Sequence, residues 1–161
     1  KYADVEVAVS ATTRPPRKGE EDGIAYHFIS KKEFERRIEA GDFVEYTRYV
    51  DNYYGTLHSE VQKRVEKKIT CVLEIETDGA HQVKEQFPDC ITVFVLAPSD
   101  EELERRLRGR GSETEQSLRK RLAKARQELE LAAGYAYQVT NHAPEECADE
   151  IYALIKARQG E

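Results

Sequence analysis

Two arginines three residues apart, Arg14 and Arg17, stand in the run Ser10-Ala11-Thr12-Thr13-Arg14-Pro15-Pro16-Arg17, beside three hydroxyl side chains. Pro15 and Pro16 restrict the backbone between them and hold their neighbours at low entropic cost. Two guanidiniums fixed side by side suit a phosphate dianion, which each can grip with paired hydrogen bonds. Taken alone, the run reads equally well as a surface turn whose arginines face water. If the stretch that follows folds back over it, the phenols of Tyr26 and Tyr54 join Arg14 and Arg17 as donors to one phosphate. Charge-assisted bonds of about 1.5–3 kcal/mol each make such a cluster sufficient to hold a nucleotide phosphate. Each tyrosine by itself is also explained by packing on a strand surface.

Glu45 lies just after a glycine-ended helix pattern, among apolar strand residues where an acid needs a reason. A carboxylate accepts two parallel hydrogen bonds, and guanine offers paired donors at N1 and its exocyclic amine. Adenine lacks that pair, so one buried Glu can separate the purines; a solvent-facing strand Glu is the other reading. Hydroxyls of Ser10 and Thr56 could serve the remaining polar edge of the base. Leu73-Glu74-Ile75-Glu76 ends an apolar strand with two acids, at the strand end where open α/β sheets bind ligands. Acids placed there can hold Mg²⁺, directly or through water, or a ligand's polar edge, or simply be solvated. The densest positive charge is the run 105–121, RRLRGRGSETEQSLRKR. Gly109 and Gly111 flank Arg110 and suggest a hinge that brings arginines over a site. A charged helix face explains most of this run; Arg110 and Arg121 are the candidates for function.

The elements that must position these groups follow from periodicity. Residues 5–10 and 23–30 alternate and read as strands, the second placing Tyr26 and Phe28 on one face and His27 on the other. Ser30 and Glu33 form a capping box opening a helix that Gly41 closes. Residues 43–56 look like short antiparallel strands, and a polar helix covers about 58–68. Residues 69–75 and 90–97 are near-continuous apolar runs, the pattern of parallel strands buried on both faces. Ser99 and Glu102 form a second capping box, with Leu103 and Leu107 on the inner stripe of its helix. A longer helix carries Leu118, Leu122, Ala125 and Leu129; then come a last strand over 135–141 and a helix packed through Cys147, Ile151, Leu154 and Ile155. Alternating strands and helices predict an α/β layer fold with a mixed β-rich insertion over about 19–56.

Composition bounds the rest. The 161 residues suit one domain able to bury roughly 70% of its unfolded surface. Charged residues at 35% and hydrophobic ones at 39% suit a soluble globular protein. A net charge of −6 argues against general nucleic-acid binding, so an anionic ligand needs a local positive site. No apolar run approaches the roughly 20 residues of a membrane span, and no signal-peptide pattern is present. Cys71, Cys90 and Cys147 lack metal spacing; two sit in apolar runs and read as buried free thiols of a reducing cytoplasm. His27, His58, His81 and His142 form no ligand pattern.

Together these residues closely resemble the guanylate kinase family, nucleoside monophosphate kinases that move phosphate from ATP to GMP. The likeness runs through SATTRPPR, GEEDGIAYHFIS, EFERRIEAGDFVE, NYYGT, LEIETDGA, ELERRLRGRG and KRLAKARQELE, nearly the whole chain in order. The resemblance implies a P-loop kinase three-layer α/β fold with a parallel core sheet. Residues 1–18 and 57–161 would form the core, with a helical lid at about 105–125, and 19–56 the GMP-binding region. It further implies that Ser10, Glu45, Thr56 and Glu76 contact guanine and that Arg14, Arg17, Tyr26 and Tyr54 hold the GMP phosphate. Arg110 and Arg121 would reach the ATP phosphates, catalysis resting on them and Arg14, and Asn141 would lie near the adenine. The implied partners are GMP and ATP, with Mg²⁺ arriving on ATP and, at most, near Glu74 rather than in a protein cluster. A cytoplasmic enzyme of purine nucleotide metabolism follows, monomer or homodimer, touching neither nucleic acid nor membrane.

The chain also departs from the family pattern. Glu76 stands where Asp is usual, Asp78 where Gln is, Tyr46 where Trp is common, and Asn141-His142-Ala143 replaces Asn-Asp-Asp. No G-x-x-x-x-G-K-[ST] occurs in these residues. That loop, with its strand and helix, would occupy roughly 25–30 residues ahead of Lys1. Two readings stay open: a piece of a complete kinase, favoured because the lid arginines persist, or a chain that has dropped donor binding. The alternative function is a catalytically inactive guanylate-kinase-like module that binds a partner protein.

Overall fold

A computed structural model describes residues 2–49, 51–109 and 114–160. The chain divides into two compact units, Lys1–Asp89 and Cys90–Glu161.

In the first unit, β1 (Val5–Val7) pairs in parallel with β6 (Thr70–Val72). The chain then crosses into a second sheet within three residues. There β2 (Ala11–Thr12) runs parallel to β3 (His27–Phe28) and antiparallel to β5 (Asn52–Leu57), which pairs with β4 (Phe43–Tyr49). The order β3-β2-β5-β4 leaves β4 outermost. Thus β2 belongs to the sheet built by the β-rich segment, although it precedes that segment in sequence. The strand expected over 5–10 is in fact β1 followed by the crossing. At the crossing the Val9 N–H would be left unpaired, and the buried carboxylate of Glu60 accepts it at 2.9 Å.

Three helices complete this unit: α1 (Lys31–Glu39), α2 (His58–Glu66) and α3 (Thr77–Gln86). Ser30 opens α1 as expected, its hydroxyl accepting from the Glu33 N–H at 3.1 Å. Gly41, at φ 72°, lets the chain turn away after that helix. Ala11, Phe34, Phe43 and Leu57 form the core, with Phe34 stacked 4.3 Å from Phe43 and 5.0 Å from Tyr53. Close packing also explains Gly55, where a Cβ would meet the Glu45 carbonyl oxygen at 2.8 Å and the Phe43 ring at 2.9 Å. Glu60 on α2 ties the two sheets together through Val9 on one side and His27 Nε2, at 3.1 Å, on the other. Burial raises the Glu60 carboxyl, but its bonds to Lys63, Val9, His27 and Arg64 outweigh that and hold it at about 2.

The second unit repeats a simpler pattern. Strand β7 (Val93–Leu96) is parallel to β8 (Tyr137–Thr140); among the described residues helices α4 (Asp100–Gly109) and α5 (Glu115–Leu131) lie between them in the chain, and α6 (Pro144–Gln159) follows β8. Ser99 caps α4 by accepting from the Glu102 N–H at 3.1 Å, as its sequence predicts. Leu118, Ala132, Val139, Cys147 and Ile155 are buried. No helix among the described residues is long and apolar enough to cross a membrane.

Four further expectations are corrected. The strand over 23–30 shrinks to His27–Phe28, because Gly23 turns at φ 76° and the Asp22 carboxylate takes the Phe28 N–H at 2.8 Å. Its alternation survives: the Tyr26 and Phe28 rings lie 5.8 Å apart, while His27 faces Glu60. The runs 69–75 and 90–97 are parallel strands but are not buried on both faces, and Val95 is 47% exposed. Among the described residues each belongs to a two-stranded ribbon, which offers too little neighbouring surface to cover both sides. For the same reason Cys71 and Cys90 are only half-buried, although all three thiols are free and Cys147 is buried. The stripe on α5 is buried at Leu118 but 40% exposed at Leu129, since the 10-residue α4 is shorter than the 17-residue α5 it packs against.

Candidate functional site

The arginine turn is fastened to β5 by hydroxyls. Thr12 Oγ1 donates to the Tyr53 carbonyl at 2.9 Å and accepts the Arg14 N–H at 3.2 Å. Thr13 Oγ1 accepts the Tyr53 N–H at 2.9 Å. The three hydroxyls that drew attention in sequence therefore divide: two of them anchor the turn. Beyond the anchor, the Arg14 guanidinium forks onto Glu20, its two terminal nitrogens donating to the two carboxylate oxygens at 2.9 and 3.0 Å. It also donates to the Pro15 carbonyl at 2.8 Å and sits 5.3 Å from the Tyr26 ring centroid. Tyr54 lies edge-on to Tyr26 at 6.1 Å, and its phenol is a lesser contributor, after Glu20, to the raised Arg14 guanidinium. The fold thus gathers Arg14, Tyr26 and Tyr54 as the sequence predicts.

Arg17 is exposed, and its main-chain N–H donates to Glu20 at 2.7 Å. Glu20 was not a sequence candidate, yet it joins the two arginine positions. The Arg14 fork, followed by the Arg17 N–H, holds its carboxyl at about 2. The one sequence signal was a Gly-Glu pair within turning distance of two arginines. Arg14 gains in the same exchange, its guanidinium raised first by the Glu20 bond.

Across the sheet, a β-bulge between Phe43 and Glu45 re-aims β4 so that Glu45 is 4% exposed. Its Oε1 accepts the Thr56 hydroxyl at 2.7 Å from the facing position on β5. Burial pushes the Glu45 carboxyl up; the Thr56 hydroxyl and N–H oppose this, and the charge of Glu76 adds to it. Glu45, Thr56 and Glu76 are therefore neighbours. Glu76 is exposed at the start of α3, and Glu74 is exposed just past β6. The antiparallel register Ala11↔Gly55 puts Ser10 next in line beside Thr56, with the Ser10 carbonyl accepting from His27 N–H at 2.8 Å. All eight residues read as a phosphate cradle and a purine reader fall in the first unit.

The other candidates fall in the second unit. Arg121 is half-buried on α5, and Arg110 lies outside the described residues. Asn141 follows β8, its N–H donating to the Leu96 carbonyl at 2.8 Å and its carbonyl accepting from Arg106 at 3.0 Å. Asn141 Oδ1 is buried and has no hydrogen-bond partner among the described residues. Much of the basic run is neutralised locally: Arg105 and Arg106 pair with Glu102, and Arg108 with Glu104 and Glu115. Arg106, bridging Glu102 to the Asn141 backbone, was not singled out in sequence.

A family model described as guanylate kinase matches residues 1–158. The guanylate kinase of Prochlorococcus marinus is 41% identical over 156 residues, covering 97% of this chain and 85% of its own length. That of Clostridioides difficile is 44% identical over 155 residues, covering 96% and 76%. That of a Synechocystis species is 45% identical over 149 residues, covering 92% and 78%. Among solved structures, the crystal structure of guanylate kinase from Anaplasma phagocytophilum matches with a TM-score of 0.82 at 31% identity, over 98% of this chain and 78% of that one. That likeness gives the mixed α/β arrangement as the P-loop kinase fold.

Proposed function

The chain belongs to the guanylate kinase family, a family of nucleoside monophosphate kinases, and from that premise we propose that it takes GMP as phosphoryl acceptor and ATP as donor, giving GDP and ADP. One observation carries the reading: a single compact unit holds both a forked, aromatic-lined guanidinium and a buried carboxylate bonded to a hydroxyl. In this reading Arg14, Arg17, Tyr26 and Tyr54 take the GMP phosphate. Glu45, Thr56, Ser10 and Glu76 take the guanine edge, and Arg110, Arg121 and Asn141 serve ATP. Residues 1–18 and 57–161 act as core with a lid at about 105–125, and 19–56 as the GMP-binding region, to whose sheet β2 lends two residues.

Phosphoryl transfer of this kind is alignment and charge neutralisation without a covalent protein intermediate. Arg14 and Arg17 neutralise the acceptor phosphate so that its oxygen can approach the donor. That phosphate is already largely ionised at neutral pH, so the scheme needs no general base. Excluding water from the closed site would protect ATP from hydrolysis. Among the described residues no group of three or more His, Cys, Asp or Glu stands together as a metal cage. Mg²⁺ habitually keeps several waters and binds one or two carboxylates plus substrate phosphates, which the exposed Glu74 would fit as a partner for ATP-borne Mg²⁺. When bound, the ion offsets phosphate charge. We place the reaction in the cytoplasm.

Calorimetric titration of the chain with GMP tests the reading. Arg17→Ala is expected to weaken GMP binding at least about tenfold, the loss of one partly screened charge-assisted contact. Unchanged affinity would remove Arg17 from the site. No heat with GMP in the unmutated chain would favour the protein-binding alternative.

A further inference from the structure

Strand β4 is outermost in its sheet, so one row of its peptide groups has no strand partner. Helix α3 supplies that partner with side chains. Gln82 Oε1 accepts the Tyr46 N–H at 3.1 Å, and Gln82 Nε2 donates to the Tyr46 carbonyl at 2.9 Å, a side-chain amide imitating the peptide of a neighbouring strand. Gln86 Nε2 donates to the Val44 carbonyl at 2.5 Å. The two clamped residues are the immediate neighbours of Glu45. Gly79, Gln82 and Gln86 share one face of α3 by helical spacing.

Gly79 completes that face. It is buried in the first turn of α3, and a Cβ there would meet Glu45 Oε2 at 2.5 Å and Glu45 Cδ at 3.2 Å. The obstacle is a carboxylate 4% exposed and bonded to Thr56, so it has little freedom to yield. Glycine inside a helix is less favourable than alanine, and the φ of Gly79 lies outside the left-handed region, so backbone conformation does not call for glycine here. The space does.

We propose that Gly79 and Gln82 are specificity-positioning residues: Gly79 leaves the volume the Glu45 carboxylate fills, and Gln82 locks the strand that carries it. Together they set how strictly guanine is preferred over a purine without the exocyclic amine. The proposal rests on the reading that Glu45 meets the guanine edge.

The experiment titrates the full chain with GMP and with IMP, which keeps N1–H but lacks the amine. Gly79→Ala is expected to weaken GMP binding at least about tenfold and IMP binding much less, so that the preference for GMP falls. The thermal midpoint should fall modestly, the crowding of a buried carboxylate outweighing alanine's better helix propensity, so the ratio of GMP to IMP affinity rather than stability is the readout. Gln82→Ala, which adds no bulk, is expected to move the preference the same way by a smaller factor. Both variants retaining the unmutated preference, or both losing the two nucleotides equally, would overturn the proposal. An unmutated chain that binds GMP and IMP alike would instead overturn the reading of Glu45 itself.

Discussion

Arg14→Ala is expected to weaken GMP binding by on the order of a hundredfold in calorimetric titration, the largest loss from any one side chain of the cradle. The guanidinium is only 13% exposed and already holds a two-oxygen acceptor in a fork at 2.9 and 3.0 Å. Two charge-assisted bonds at about 1.5–3 kcal/mol each, discounted for exchange with Glu20 and for screening, leave about 3 kcal/mol. Arg17 is exposed and more screened, hence its smaller expected effect. Arg14→Lys keeps the charge but loses the fork, and should recover only part of the loss. Glu20 braces this turn through the neutral range. Its carboxyl is lowered from 4.5 to about 2, so the brace is present above pH 4.5 and is lost as pH falls toward 2.

Glu45→Gln separates recognition from stability. It is expected to weaken GMP binding by on the order of a hundredfold and AMP binding little, because the amide nitrogen presents donors to guanine donors. Burial raises the Glu45 carboxyl, with Glu76 adding to it, so the ionised form is a cost to the fold. A group raised in the folded state favours folding below its unfolded value and loses that advantage as pH rises through the folded one. At pH 7 the glutamine variant should therefore melt at the same temperature or higher, still bonded to Thr56. GMP affinity should also fall on acidification through a pH above the usual carboxylate value of 4.5, since the base needs the ionised form. Lost stability together with unchanged purine preference would place Glu45 in the core rather than at the base.

Features set by short-range chemistry were legible in the sequence. The Ser30 and Ser99 caps follow from a hydroxyl three residues before an acid, and the hairpin over 43–56 from its β-branched and aromatic residues. Glu45 could be picked out because an acid in an apolar strand needs a reason, whereas Thr56, read as a hydroxyl for the base edge, emerged as its hydrogen-bond partner only in the fold. What was hidden depends on distant neighbours. Asp22 shortened β3 by capturing an N–H six residues away, and among the described residues β6 and β7 each have a single neighbouring strand, so two-sided burial failed. Gly79 looked like one letter of a motif until its missing side chain proved to be the room for a carboxylate from another strand. Glu60, buried between two sheets, had no local signature at all.

On the proposed reading, one compact unit grips the phosphate of GMP and inspects its base. A crystal structure of the chain with GMP tests it most directly. Phosphate oxygens are expected within hydrogen-bonding distance of Arg14, Tyr26 and Tyr54, with N1 and the exocyclic amine of guanine on Glu45. A nucleotide bound elsewhere, with Arg14 still forked onto Glu20 and Glu45 touching only Thr56, would contradict it.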